Sequence, residues 1–167
     1  MIQVTLMMAI TLDGKIARTS DHAATWTSPE DKALFVKTSK DYGVIMMGEN
    51  TFNTFLKALP GRLNVVFSQK LNEPQNNVKW VKGEPELVLA ELENMGYNKV
   101  LLVGGAYLNG LFFEKKLVSE MIITIEPKLF GQGLSLFDRS FEADLELLDT
   151  NKLNDNTLAL HYKINYK

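Results

Sequence analysis

An acidic side chain stands at the start of a helix, next to apolar residues. Asp31 follows Ser28 and Pro29, and Leu34 and Phe35 come one turn later. Ser as N-cap and Pro at the first position are typical of a helix start, where the helix dipole favours a carboxylate. Helix stability alone is one explanation of Asp31. The other is that Asp31 lies at the mouth of an apolar pocket and binds a ligand edge with two N–H donors.

Two glycine turns have the composition to approach phosphate groups. Gly48 ends one apolar run and opens the segment that contains Thr51, and Gly104 and Gly105 follow another apolar run. Glycine between a strand and a helix lets backbone N–H groups approach a phosphate at the helix N-terminus. Many α/β turns need a glycine for other reasons, and the sequence has no G-x-G-x-x-G fingerprint. Neither turn assigns a function by itself.

The apolar pattern predicts the elements that position these residues. Strands are predicted at 2–10, 44–48, 64–68, 78–81, 100–103 and 120–126, and helices at 29–40, 51–56, 85–95 and 107–114. Alternation near 145–147 and 158–164 predicts two antiparallel strands around the turn at 154–156. The fold class is therefore α/β, with a mostly parallel central sheet, helices on both faces and an antiparallel C-terminal strand pair.

The predicted topology brings the candidate residues together. In such sheets, ligands bind at the carboxyl ends of the strands, beside the strand-to-helix turns. Residues 9–17, 26–31, 48–51 and 104–107 occupy those junctions. The first of them contains Asp13-Gly14, for which an ordinary turn is the simpler explanation. The polar stretch 18–25 predicts a mobile loop next to the same edge.

The composition limits the classes of function. A chain of 167 residues with 46% apolar content fits a single domain over 1–167, and a net charge of -2 favours neither nucleic acid nor an anionic membrane as a partner. Because there is no cysteine and the two histidines are far apart, we expect no disulfide, thiol chemistry or metal site. We also expect a cytoplasmic protein, since no signal peptide or membrane-spanning stretch is evident.

Read in order, these segments resemble the dihydrofolate reductase family over most of the chain, least in the C-terminal third. The order and spacing of the pieces make the match specific. They are Ala9 in the first strand, Trp26, residues 29–31 with Phe35, residues 44–48 followed by Thr51, the Leu-Pro-Gly-Arg segment at 59–62 with the strand after it, residues 103–105, and Thr124.

The resemblance implies NADPH-dependent reduction of 7,8-dihydrofolate to tetrahydrofolate, an oxidoreductase step on CH–NH groups in one-carbon metabolism. In that family the acid matching Asp31 binds the pterin ring and promotes protonation of N5, and a hydride passes from C4 of the cofactor to C6. Thr124 would hydrogen-bond the acid, Trp26 would form part of the wall of the site, and Arg62 would pair with the α-carboxylate of the glutamate tail. The other implied substrate-binding residues are Ala9, Phe35, Leu59 and Val103.

The resemblance also implies where the cofactor binds, with residues 17–25 as a lid over the nicotinamide. In the family the bond matching Gly104–Gly105 is cis. The implied cofactor-binding residues are Ala9, Ile16, Gly48, Glu49, Asn50, Thr51, Ser68, Gln69, Lys82, Val103, Gly104, Gly105, Ala106, Tyr107 and Leu108.

Cofactor preference departs from the family pattern. Family members place basic or hydroxyl residues around the 2′-phosphate of the cofactor, whereas the matching positions here hold Glu49, Gln69 and Tyr107. A carboxylate at Glu49 would repel a phosphate but accept hydrogen bonds from a bare ribose. NADH is therefore possible beside NADPH, unless Lys70 or Lys82 holds the phosphate.

Two segments resemble a relative instead, the pyrimidine reductase of riboflavin synthesis. They are residues 11–17 and residues 127–133. Both proteins share a fold and a nicotinamide cofactor, so the fold does not separate them. Because Arg62 and the pair Asp31 and Phe35 favour folate, we predict dihydrofolate reduction. The alternatives are reduction of a 5-amino-6-ribosylamino-pyrimidine phosphate and a non-catalytic binding domain of the same fold, and the chain is predicted to be a monomer or homodimer.

Overall fold

The computed structural model describes residues 1–70 and 72–167, with ten strands and four helices in that part of the chain. In chain order they are β1 Gln3–Thr11, β2 Lys15–Ala17, α1 Pro29–Tyr42, β3 Val44–Gly48, α2 Glu49–Thr54, β4 Leu63–Phe67, β5 Val78–Val81, α3 Pro85–Asn94, β6 Lys99–Leu102, α4 Ala106–Glu114, β7 Glu120–Glu126, β8 Leu134–Ser135, β9 Ala143–Asn154 and β10 Thr157–Tyr166. In the part described, no helix has the length and apolar character needed to cross a bilayer.

Eight of the strands form one sheet in the order β5-β4-β3-β6-β1-β7-β10-β9. The first six strands in that order are parallel, β10 runs antiparallel to β7, and β9 runs antiparallel to β10. The predicted α/β fold class, with its antiparallel C-terminal pair, is therefore confirmed. Strand β1 lies between β6 and β7 in the middle of the sheet, which explains why its sequence is almost continuously apolar.

The core has two layers because alternate residues of each strand point to opposite faces. Met47 and Leu101 pack on the face that also buries Phe35 of α1. Their neighbours Met46 and Leu102 pack on the other face, together with residues of α3 and α4. The helices thus cover both faces and leave the carboxyl ends of the strands open between them.

Helix α1 begins where the sequence predicts. The hydroxyl of Ser28 accepts a hydrogen bond from the backbone N–H of Asp31 at 3.2 Å, and Pro29 is the first helical residue. The helix ends at Tyr42, two residues later than predicted, because Gly43 is the residue that adopts the left-handed conformation and closes it. Asp31 is thereby fixed on the first turn, at the carboxyl edge of the sheet.

Two short elements were not predicted. Strands β2 and β8 pair with each other outside the main sheet, and they have only three and two residues, too few for an alternating pattern. Helix α2 begins at Glu49 rather than at Thr51, directly after the extended Gly48. Residues 18–25 contain neither helix nor strand, as predicted.

Candidate active site

One large cavity opens at the carboxyl edge of the sheet. Its volume is about 1230 Å³, above the roughly 300–1,000 Å³ typical of a site for one small molecule. It has room for two ligands side by side. We call one part of its wall the acid side (Trp26, Thr27, Asp31, Phe35 and Arg62). The glycine side consists of Gly48, Thr51 and Gly105 in another part of the wall, together with Gly104, which contacts Gly48 from behind the wall.

Asp31 is the buried carboxylate of the acid side, with 8% of its surface exposed. Burial raises the pKa of Asp31, because a charge is poorly solvated there. The neighbouring hydroxyl of Thr124 lowers this pKa by hydrogen bonding, the negative charge of Glu126 raises it, and Thr27 and Lys32 lower it. The net result is a raised pKa, so that Asp31 keeps its proton to a higher pH than an ordinary aspartate.

Apolar side chains form a slot in the cavity on the acid side. The rings of Phe35 and Phe55 stack at 6.3 Å between centroids, and Leu59 lines the same cavity. Trp26 lies edge-on to Phe130 at 5.1 Å. The indole N–H of Trp26 is buried and has no hydrogen-bond partner among the residues described. The apolar lining of the slot suits a planar ring.

Arg62 is a buried cation on the cavity wall, with 6% of its surface exposed. Burial lowers its pKa. One guanidinium nitrogen donates to the carbonyl of Pro60, while Nε has no partner in the described part of the chain. The side chain of Asn64 holds this loop by accepting from the N–H of Leu59 at 2.9 Å and donating to the carbonyl of Arg62 at 3.0 Å. Arg62 is therefore held in place and able to pair with an anion.

The glycine side is built from backbone. The N–H of Gly48 donates to the carbonyl of Gly104 at 2.9 Å, and the Gly104–Gly105 peptide bond is cis. A Cβ atom on Gly104 would lie 3.3 Å from Met8, and one on Gly105 would lie 3.4 Å from the hydroxyl of Thr51. Helices α2 and α4 begin at these turns without a side-chain cap. Side chains on these glycines would narrow the space beside the backbone. Without them, the backbone N–H groups of the turns fit the pyrophosphate of a nicotinamide dinucleotide.

A fixed carboxylate borders the glycine side. Glu49 accepts a hydrogen bond from the hydroxyl of Ser68 at 2.8 Å. The Ser68 oxygen in turn accepts from the N–H of Lys70 at 3.1 Å and from the side chain of Asn72 at 3.0 Å. Lys70 and Lys82, the cations expected as substitutes, also line the cavity but are exposed. The best-ordered charge at this wall is therefore negative.

The loop at 18–25 packs against one aromatic ring, that of Phe130. The guanidinium of Arg18 lies 4.7 Å from the ring centroid of Phe130, and the ring of His22 lies at 5.9 Å. Asp13 accepts hydrogen bonds from the N–H groups of Phe130 and Gly131 at 3.2 and 2.7 Å. Asp13-Gly14 is thus a turn, and the Asp13 carboxylate also holds the 127–133 segment by hydrogen bonds. The two segments that resemble the pyrimidine reductase therefore contact each other.

Nearly all the residues predicted for the site line this cavity. The exceptions are Thr124, which is buried beside Asp31, and Gly104, which contacts Gly48. Their individual roles stay predictions. Sequence reasoning missed Glu126, although it stands two positions after Thr124 and therefore on the same face of β7. It also missed Thr27 and the apolar lining from Met7, Met8, Phe55 and Leu111.

Comparison with known proteins gives one family match over most of the chain. The family described as RibD C-terminal domain matches residues 3–159. A dihydrofolate reductase of Ureaplasma parvum is 29% identical over 108 residues, covering 64% of this chain and 65% of the relative. A type 9 dihydrofolate reductase of Escherichia coli is 27% identical over 124 residues, covering 70% and 68%. The chain thus spans about two thirds of the length of these relatives.

Solved structures share the fold at low sequence identity. A putative riboflavin biosynthesis protein of Shewanella superposes with a TM-score of 0.80 at 24% identity, over 98% of this chain and 99% of that one. RibD of Acinetobacter baumannii gives 0.84 at 20%, over 99% of this chain and 58% of that one. A dihydrofolate reductase of Enterococcus faecalis complexed with NADP(H) gives 0.73 at 17%, over 98% and 96%. These likenesses confirm the dihydrofolate reductase-like fold.

Proposed function

Because the chain belongs to the RibD C-terminal domain family, within the dihydrofolate reductase-like superfamily, we propose that it is a nicotinamide-dependent reductase. Its substrate carries a C=N bond whose nitrogen is attached to a 2-amino-4-oxopyrimidine ring. Ring-opened ribosylaminopyrimidine and dihydrofolate both fit this description. In either case hydride adds to the carbon and a proton adds to the nitrogen, so that C=N becomes CH–NH.

The observation that carries the proposal is the buried carboxyl of Asp31 in the wall of an apolar cavity. A 2-amino-4-oxopyrimidine presents an amino group and a ring N–H side by side, and once Asp31 has given its proton to the substrate, the resulting carboxylate binds both. A uracil edge presents a carbonyl oxygen in place of the amino group, which a carboxylate repels. Asp31 therefore favours amino-oxo rings over dioxo rings.

The residues divide the reaction between them. Asp31 orients the ring and, because burial raises its pKa, holds a proton that it can exchange with the substrate. Phe35 and Leu59 hold the ring plane, and Trp26 with the loop at 18–25 excludes water. Gly48, Thr51 and the Gly104–Gly105 turn would hold the pyrophosphate. The chemistry that a bound reduced nicotinamide supplies is hydride transfer.

The first candidate substrate is the ribosylaminopyrimidine phosphate of riboflavin synthesis, in its 2-amino-4-oxo form. The family match supports a riboflavin-pathway pyrimidine, the alternative from the sequence, better than it supports dihydrofolate, which we predicted first. The 2-amino-4-oxo form is our inference from Asp31. The ordered Arg62 is compatible with it, because this cation lies on the wall of the same cavity as Asp31, where it could pair with the substrate phosphate.

Dihydrofolate is the second candidate because of a specific observation. Arg62 and Asp31 line the same cavity, which matches a substrate with an amino-oxo ring at one end and a carboxylate at the other. Two of the curated relatives are named dihydrofolate reductases. The two candidates differ in the group that links the ring to the anion. This group is a ribose in the pyrimidine candidate and an aminobenzoyl group in dihydrofolate.

The test is turnover of the reduced cofactor with three substrates offered separately. They are the 2,5-diamino-6-ribosylamino-4-oxopyrimidine phosphate, its dioxo (uracil) counterpart and 7,8-dihydrofolate, each with NADPH and with NADH. We expect the diamino pyrimidine to be reduced faster than the uracil, and Asp31→Asn to remove that turnover. Oxidation of neither cofactor with any of the three would contradict the proposal.

A further inference from the structure

Glu126, the last residue of β7, is a buried carboxylate that the proposed reaction does not use directly. Only 2% of its surface is exposed. One carboxylate oxygen accepts hydrogen bonds from the backbone N–H and the hydroxyl of Ser28, both at 2.8 Å, and the other accepts from the hydroxyl of Thr157 at 3.3 Å. These three donors are neutral. A buried charge held by neutral donors is costly, and such groups are often retained for function.

These contacts connect Glu126 to the backbone of Asp31. Ser28 is the N-cap of α1, and its oxygen accepts from the N–H of Asp31 at 3.2 Å. The Ser28 hydroxyl hydrogen is committed to Glu126, so the lone pair of the same oxygen is directed at Asp31. Ser28 and Glu126 lie 98 positions apart in the sequence. The start of α1 is therefore fixed to the end of β7 by one side chain.

We propose that Glu126 is a positioning residue for the reductase reaction. It fixes the first turn of α1 through Ser28, and its buried negative charge opposes ionisation of Asp31, so that Asp31 holds a proton for the substrate. This inference rests on the proposed function, because it assigns Glu126 a role only through Asp31.

Burial is the largest cause of the raised pKa of Asp31, and among the charged groups around it Glu126 is the buried one that raises this pKa further. The negative charge of Glu126 raises the pKa of Asp31, and Lys32, next to it on α1, lowers that pKa. A polar cleft of about 480 Å³ lies beside Glu126, and the charged residues on its wall are Glu30, Lys128 and Asp155. All three are exposed, so salt screens them, whereas Glu126 is not screened.

The direct test is the protonation midpoint of Asp31, measured by carboxyl carbon NMR without substrate. Glu126→Gln removes the charge but keeps an amide oxygen that accepts from Ser28. We expect it to lower the midpoint by about one pH unit. Glu30→Gln is the matched control, since it makes the same change one residue from Asp31 at an exposed site, and we expect a much smaller change. Equal midpoints in the two variants would overturn the proposal.

The enzyme gives a second readout. If Asp31 must carry the proton, kcat falls as the pH rises through its pKa, and Glu126→Gln moves that fall to lower pH with KM unchanged. Ser28→Ala removes the helix cap and leaves the charge in place, so kcat decreases at every pH without moving the fall. If the pH at which kcat falls changes in Ser28→Ala and stays the same in Glu126→Gln, the charge role of Glu126 is contradicted.

Two outcomes keep this proposal distinct from the proposed function. A shifted Asp31 midpoint with no turnover of any substrate supports the coupling and refutes the reductase assignment. Turnover with an unshifted midpoint supports the reductase assignment and refutes the coupling. If Glu126→Gln does not fold, salt titration of the wild type decides. A midpoint that falls as salt rises to about 0.5 M shows that exposed charges raise it and overturns the proposal, whereas an unchanged midpoint is the result that the proposal expects.

Discussion

The acid side and the glycine side of the cavity are built in opposite ways. On the acid side, function would depend on individual side chains, since Asp31 and Arg62 are the charged groups and apolar residues shape the slot between them. On the glycine side, it would depend on side chains being absent, since Gly48 and Gly104 bring backbone close to backbone. Changes on the acid side should therefore affect turnover and substrate choice, and changes on the glycine side should affect cofactor affinity.

The largest expected effect is on the acid side. Asp31→Asn keeps the shape of the side chain and removes both the anion and the exchangeable proton, so kcat should fall about a hundredfold or more. The dissociation constant for the cofactor should stay unchanged, which fluorescence titration would measure. Glu30→Gln is the control for a lost acid on the same helical turn. Near-normal turnover in Asp31→Asn would contradict the role of Asp31.

The matching change on the glycine side is Gly104→Ala. Gly104 has a φ of +112°, and an added Cβ would lie 3.3 Å from Met8. We expect cofactor affinity to drop about tenfold or more, with a smaller change in kcat at saturating cofactor. Gly96→Ala is the control, because Gly96 has a φ of +95° with nothing near its Cβ. Equal cofactor affinity in the two variants would show that the turn does not bind the cofactor.

A smaller effect is expected at the other charge of the acid side. Arg62→Ala should raise KM about tenfold for substrates that carry an anionic tail, and leave bare rings unaffected, since a charge-assisted hydrogen bond contributes about 1.5–3 kcal/mol. Lys57→Ala removes an exposed cation from the same connection between α2 and β4, and it should leave the KM unchanged for tailed substrates and for bare rings. An unchanged KM for tailed substrates would mean that Arg62 only orders its loop.

Glu49 tests whether charge also matters on the glycine side. We propose that its carboxylate, ordered by Ser68, weakens discrimination in favour of NADPH, and that Glu49→Arg shifts the ratio of kcat/KM toward NADPH by several fold, more at low salt. Glu73→Arg introduces the same charge change at an exposed position. A strong wild-type preference for NADPH that Glu49→Arg leaves intact would place the 2′-phosphate elsewhere.

The smallest effect is on stability. Burial raises the pKa of Asp31, so the contribution of this group to folding is fully present below the pKa of an unfolded aspartate and is lost as the pH rises through the folded pKa. Asp31→Asn should therefore raise Tm at neutral pH and have little effect near about pH 3. Thermal melts at the two pH values measure this. An equal Tm at neutral pH would mean that the acid is well solvated.

Local sequence patterns predicted the fold well, because they depend on neighbours. Strand β7 was predicted at its observed bounds, and Ser28-Pro29 marked the start of α1. The pairing of β2 with β8 and the hydrogen bonds of Asp13 to Gly131 were not predicted. Asp13 and Gly131 lie 118 positions apart, and nothing in either local sequence indicates the other.

The candidate site was predicted as a set of positions, not as a substrate. The residues named in advance lie around one cavity because the ends of parallel strands must meet at one edge of the sheet. The choice between folate and pyrimidine depends on distances across the cavity, which local motifs do not encode. The family match favours the pyrimidine, the alternative that the sequence left in second place.

The central position of β1 has a consequence for synthesis of the chain. Among the strands described, β1 is made first, and it pairs with β6 and β7, which are made after residues 98 and 119. Until then, an apolar strand with two open edges stays unpaired, and such edges promote aggregation. Contacts this distant in sequence also slow folding. We expect that nascent chains released before β7 is complete need a chaperone, whereas loss of the β9–β10 hairpin alone leaves β1 paired on both sides.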